Sequence, residues 1–421
     1  MLVLCKDRSE VISYVVFFVN ISLLSLLYLL TGTKTFLPLF TISFFWLNSI
    51  WLSTLKIGWV NYLSHFEDDL KFIYVLMFYL SYVLFIIAFF LGYVSLPKLN
   101  FIYDQKQRDK KSNYAYYVVL ASFLIGGGVM ILSMLSKGTI PLFSADINEV
   151  RDDFYINGVG GLVILLQVTI ASTILYKISN SLDYSSNRKV TFLAFAALIL
   201  MVLTSQRIGI IESILLSFAL SIPYASKLRV GIKKIFVISF VSLLLFTIFI
   251  YVGVTRGLND FFITDFESIV AEQAYVYFGG PALRNLQYAI ETNYYGMGPT
   301  SPYPFMFRSF LTPIIGVPVR DMGEIFVGPN NGTAFLFYFY DFGWLGFVFP
   351  LMPMAFITGL SAKYYFNTNT LLSGLFFGVM FICAFFLPLT DKYFDFSTVV
   401  KILIFVSFSS FMRLLKNYIQ E

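Results

Sequence analysis

Apolar runs long enough to cross a bilayer recur from one end of the chain to the other, and they decide its class. About eleven are readable, at roughly Val11–Thr31, Thr35–Leu55, Phe72–Leu96, Tyr114–Ser136, Gly158–Tyr176, Val190–Thr204, Ile208–Ala225, Ile235–Val254, Thr333–Leu360, Thr370–Pro388 and Val399–Leu415. In lipid only a helix or a closed barrel satisfies its own backbone, and about twenty apolar residues in a helix match the hydrocarbon thickness. The rest of the chain cannot clothe a soluble protein. Of 421 residues 58% are hydrophobic and only 13% charged, whereas soluble domains carry about a quarter charged residues. Disorder is excluded by the same balance, because it needs low hydrophobicity and high net charge. A second apolar run follows the first almost at once with no small-residue cleavage pattern between them, so the first is expected to stay as a span. The expected fold is an all-α polytopic membrane protein of about eleven transmembrane helices, within a range of roughly ten to twelve.

Basic residues orient the set. The short loops around Lys98, Lys106, Arg108, Lys110 and Lys111, around Lys177, Arg188 and Lys189, and around Lys227, Arg229, Lys233 and Lys234 alternate so as to share one side. The positive-inside rule makes that side the cytoplasm. The opposite side then receives one long segment, residues 255–332, rich in Pro, Gly and Tyr. Residues 1–254 form an N-terminal bundle of about eight helices, 255–332 a large external loop, and 333–421 about three C-terminal helices. Within the loop, Asp265–Phe278 and Pro281–Thr292 are expected as short helices, the second after a Gly-Gly-Pro start signal.

A charge inside a span costs a few kcal/mol unless it faces protein or water, so the residues able to carry chemistry are few. Arg207 stands in a Thr-Ser-Gln-Arg turn between two apolar runs, with Glu212 inside the second. Either the two form an intramembrane ion pair that pins helices, or they line an outward-facing cavity where Arg207 takes an anionic group. Arg151, Arg256, Arg308 and Arg320 fall on the same side as Arg207. Each is individually a plausible surface charge; together they suit a diphosphate, because a guanidinium forks two donors onto phosphate oxygens. Asp341 lies in an aromatic run followed by Gly343 and Gly346, as a functional carboxylate beside a kink or as the cap of a helix starting at Phe342. The two cysteines, Cys5 and Cys383, define no disulfide framework, and a single histidine, His65, with no CxxC or HExxH pattern argues against a protein-ligated zinc or haem. No metal or other cofactor is expected.

The stretch from Arg151 to Gly161, the Thr204–Arg207 turn, the late external loop, Arg308 running on to Gly316, and Asn330–Asn331 leading into Tyr340–Gly346 together resemble the Wzy-type oligosaccharide repeat unit polymerases, the O-antigen and capsule polymerases of bacterial envelopes. The resemblance implies a GT-C-like glycosyltransferase in the bacterial inner membrane with its active site on the periplasmic face. Its partners would be a polyprenyl-diphosphate-linked oligosaccharide donor and acceptor, the lipid bilayer, and a chain-length regulator and flippase; nucleic acid is not among them. In that reaction Arg207, Arg256 and Arg308 would hold the diphosphate, and Arg151 or Arg320 the second lipid carrier. Glu212, Glu324 or Asp341 would be the acceptor base or a structural orienter, with Asn331, Gly343 and Gly346 shaping the site. Two alternatives stand beside it. A lipid-linked oligosaccharide flippase also needs cationic residues, but in a cavity between repeated halves. An O-antigen ligase shares the donor, but resembles a pattern with a histidine in the large external loop, whereas His65 lies in the first one.

Overall fold

The computed structural model describes residues 8–31, 37–55, 70–97, 106–144, 150, 160–180, 188–204, 207–227, 282–291, 334–390, 392–394 and 396–420. Among the described residues the chain is helical throughout, with no strand. The α-helices are α1 (Arg8–Thr31), α2 (Leu37–Thr54), α3 (Phe72–Ser95), α4 (Lys106–Lys137), α5 (Ile164–Asn180), α6 (Arg188–Leu203), α7 (Arg207–Ser221), α8 (Ala282–Glu291), α9 (Ala334–Phe342), α10 (Leu351–Thr368), α11 (Leu371–Phe386) and α12 (Phe396–Gln420). Among the described residues five segments are long and apolar enough to cross a membrane: Leu37–Thr54, Phe72–Ser95, Tyr116–Lys137, Gly343–Thr368 and Ser397–Leu415. Shorter apolar helices lie at Ser13–Ser25, Ile164–Lys177, Ile208–Tyr224 and Leu371–Phe386. Exposed Phe72, Leu76, Leu80, Val83, Ile87, Phe90 and Val94 run down one side of α3. Such a stripe is stable against lipid and unstable against water. The chain is a helical membrane protein.

Most expected runs coincide with a helix, within the few residues by which helix ends scatter. The run Ile235–Val254, the helix expected at Asp265–Phe278 and His65 lie outside the described residues. Pro281–Thr292 is matched by α8, Ala282–Glu291. The expected span Thr333–Leu360 is not continuous. Helix α9 stops at Phe342, Gly343 takes a positive φ of 55°, a 3-10 turn covers Gly343–Phe347, and α10 begins only at Leu351. At nine residues, α9 is about 13 Å long, less than half the hydrocarbon thickness.

The chain forms two compact units. The first comprises Met1–Pro97, Thr264–Tyr364 and Met380–Val399; the second comprises Lys98–Ile263, Tyr365–Val379 and Val400–Glu421. At the centre of the first, the fully buried Trp46 of α2 meets Phe78, Tyr82 and Phe85 of α3 and Phe335 of α9, with ring centroids 5.4–6.2 Å apart. These aromatic contacts supply packing that the hydrophobic effect cannot supply between helices in lipid. Helices α3 and α10 approach so closely that a Cβ on Gly92 would stand 2.0 Å from the Phe356 carbonyl oxygen, and one on Gly359 1.9 Å from that of Phe89. In the second unit α5 packs against α4, α6 and α7. The core there is built from Met130, Val163, Leu166, Ala197, Met201 and Ile210. A buried hydroxyl pair, Ser122 on α4 and Thr169 on α5 at 2.9 Å, joins two of these helices.

Candidate functional site

In the second unit, three helices each bring one polar side chain to the same point. Glu212 on α7 accepts from Lys401 Nζ of α12 at 2.7 Å and from Gln167 Nε2 of α5 at 3.0 Å, both on Oε2. Glu212 is 3% exposed and Lys401 7%. Each residue sits within the first two turns of its helix, so the cluster lies near one set of helix ends. Two opposite charges taken out of water remain ionised only if their attraction and further hydrogen bonds offset a desolvation cost of several kcal/mol per ion. Glu212 Oε2 has one such partner in Lys401 and a second in the Gln167 amide. Removing one partner of such a pair typically costs about 3–5 kcal/mol, because the other charge is left buried.

The structure pairs Glu212 with Lys401 of α12, a residue that neither sequence reading of Arg207 and Glu212 included. Arg207 opens α7 directly after the turn at Thr204; its backbone is described and its side chain is not. Thr204 is buried and back-bonds to Met201 O at 2.9 Å, which closes the end of α6. Ser213, next to Glu212, donates to Gly209 O at 2.7 Å and lies 3.6 Å from Met201 Sδ. The first turns of α7 are thus held on several sides.

In the first unit, Asp341 is the penultimate residue of α9 and is partly accessible. The expected helix start at Phe342 is corrected: α9 ends there, and a 3-10 turn begins at Gly343. A carboxylate in the last turn of a helix faces the negative end of the macrodipole, a position disfavoured by about 0.3–1 kcal/mol. The break beside it depends on both glycines. Gly343 takes the left-handed backbone that side chains resist. At Gly346 the 3-10 turn lies against α9 so tightly that a Cβ would stand 2.2 Å from Tyr338 O. Phe347 stacks on Phe335 at 5.4 Å, and Ser81 Oγ of α3 donates to Phe347 O at 3.2 Å.

The described part of the long loop is α8, and it carries an arginine absent from the expected set. Arg284 is 4% exposed, and its Nε donates to Ser53 O in the last turn of α2 at 3.1 Å. On the same helical stripe Gln287 Oε1 accepts from the Lys71 backbone N–H at 2.8 Å, and Glu291 pairs with Lys71 Nζ at 2.9 Å. These spacings of three and four residues put all three side chains on one face, which clasps α8 to the end of α2 and the start of α3. Helix α8 also packs on α9.

Arg151, Arg256, Arg308, Arg320, Glu324 and Asn331 lie outside the described residues. The site residues the structure does bring together are Asp341, Gly343 and Gly346 at the α9 break. Lys401 and Arg284 were missed from sequence, although a basic residue within an apolar run and an arginine on a short amphipathic helix were both visible. Among the described residues no group of three or more His, Cys, Asp or Glu side chains is placed to hold a metal ion. Compared with known protein families, curated proteins and solved structures, the chain matches none.

Proposed function

We propose that the chain is a membrane glycosyltransferase that polymerises polyprenyl-diphosphate-linked oligosaccharide repeat units at the outer face of a bacterial cytoplasmic membrane, within a GT-C-like bundle of about eleven spans. The observation that carries this reading is the partly accessible Asp341 at a break in a membrane helix. Irregular backbone at membrane depth is tolerated only where protein or a water-filled cavity surrounds it, and broken helices are where membrane proteins place binding sites. Helix α8, which belongs to the long loop, packs on α9. Asp341 lies about 10 Å along the helix from Ala334, where the described chain resumes after the long loop.

In the reaction, the acceptor hydroxyl oxygen bonds to the donor's anomeric carbon as the bond from that carbon to the diphosphate oxygen breaks. Asp341 takes the hydroxyl proton, and the polyprenyl diphosphate leaves with the electron pair. Arg207, Arg256 and Arg308 are the side chains that would stabilise the departing charge, with Arg151 or Arg320 on the second lipid carrier. Glu212, already salt-bridged and buried, fits the orienting role better than the base. Asp341→Asn tests the assignment in a host lacking its own polymerase: it should leave a single repeat unit on the lipid acceptor at wild-type protein abundance. A wild-type glycan ladder from Asp341→Asn would overturn it.

The second reading is a lipid-linked oligosaccharide flippase, favoured by the intramembrane Glu212–Lys401 pair, since transporters keep ionisable pairs at membrane depth. Loss of a flippase traps complete units on the cytoplasmic face, whereas loss of a polymerase leaves single units displayed outside.

A further inference from the structure

We propose that Glu212, Gln167 and Lys401 are positioning residues for Arg207: their cluster fixes the start of α7, and so the place from which Arg207 meets the donor diphosphate. The inference rests on the polymerase reading. A general base must come within about 3 Å of the proton it removes. Glu212 is buried to 3% exposure, and its Oε2 already accepts from an ammonium and an amide. Burial and these two partners leave Glu212 little reach toward a substrate hydroxyl. What the cluster does control is the helix. Glu212 lies a little over one turn after Arg207 on α7, and its two partners come from α5 and α12, so the start of α7 is held by two other helices. Ser213 ties the same turns to Met201 of α6. An arginine at the first position of a helix so fixed has its backbone in place before any ligand arrives. Part of the ordering cost of binding an anion is thereby met in advance.

The charges of the pair are exchangeable in this role, whereas a catalytic carboxylate is not. The test therefore uses the full chain in membranes, with a polyprenyl-diphosphate-linked repeat unit as donor, and reads donor KM, kcat and thermal melting in detergent. Glu212→Gln and Lys401→Met should each raise donor KM roughly ten- to a hundredfold with a smaller loss in kcat, as expected when a binding group is displaced by about 1 Å. The exchange Glu212→Lys with Lys401→Glu should recover both melting and KM. Adding Glu212→Gln to Arg207→Ala should raise KM no further than Arg207→Ala alone. If the exchanged protein melts like wild type yet turns over no donor, the carboxylate is needed at position 212 and the proposal is overturned. If the exchange does not fold, the apolar pair Glu212→Leu with Lys401→Leu takes its place, since buried ion pairs often tolerate such replacement, and a folded but inactive protein again overturns the proposal. Wild-type protein that forms no polymer would instead sink the polymerase reading. In that case melting still reports on the cluster, lowered in each single variant and restored in the exchange.

Discussion

Gly346→Ala tests the helix break through a clash whose size is set by the structure. The added methyl carbon would stand 2.2 Å from Tyr338 O, 2.4 Å from Tyr338 C and 2.8 Å from Phe339 N. All three are backbone atoms of α9, so no side chain can rotate away. Ordinary contact lies near 3.4 Å, and the 3-10 turn must therefore retreat from α9 by roughly 1 Å in a medium as densely packed as an organic crystal. Overpacking of this kind costs about 1–3 kcal/mol. The upper end is expected, because the retreat also loosens the Phe347–Phe335 stack and the bond from Ser81 to Phe347 O. Melting in detergent should fall by something on the order of 5 °C, and polymer synthesis should fall further than abundance because Asp341 lies beside the displaced turn. Gly128→Ala is the control. Nothing lies within 4 Å of a Cβ there, and alanine is the better helix former by about 1 kcal/mol, so that variant should melt at or slightly above wild type. Equal melting of the two variants would refute the break as described.

Gly359→Ala should separate α10 from α3, since its methyl would stand 1.9 Å from Phe89 O; the expected outcome is a loss of about 2–3 kcal/mol or more, measured as lower melting and lower abundance with no rescue by Gly92→Ala. Arg284→Ala should cost about 1.5–3 kcal/mol, because a charged donor to the end of α2 and the stem that packs there are both lost. Arg284→Lys should not restore it, for a lysine has no Nε–H to place at Ser53 O; limited proteolysis around α8 reads the release of the clasp.

Much of the fold was legible because lipid imposes one rule, that every span be an apolar helix, and the runs at Phe72–Leu96 and Thr370–Pro388 obey it almost to the residue. The start of α8 was legible for a local reason, a Gly-Gly-Pro signal before an amphipathic decad. The break inside Thr333–Leu360 was not, since hydropathy does not register where backbone reverses. Only Gly343, Gly346 and Pro350 hinted at it. Arg207 was expected beside Glu212 because they are neighbours in sequence, but the partner that the structure gives Glu212 comes from a helix 189 residues away. Lys401 lies near the start of an apolar run, where a charge passes as part of the adjoining loop. Its burial follows from packing among helices, which no single run encodes.

That separation has a consequence for how the chain is made. Helix α7 is synthesised with Glu212 in it long before the ribosome reaches Lys401, so the cluster cannot close until α12 has been made. Packing of α12 is thus a late step, and through one carboxylate it ties a segment made late to α5 and α7, which were made early.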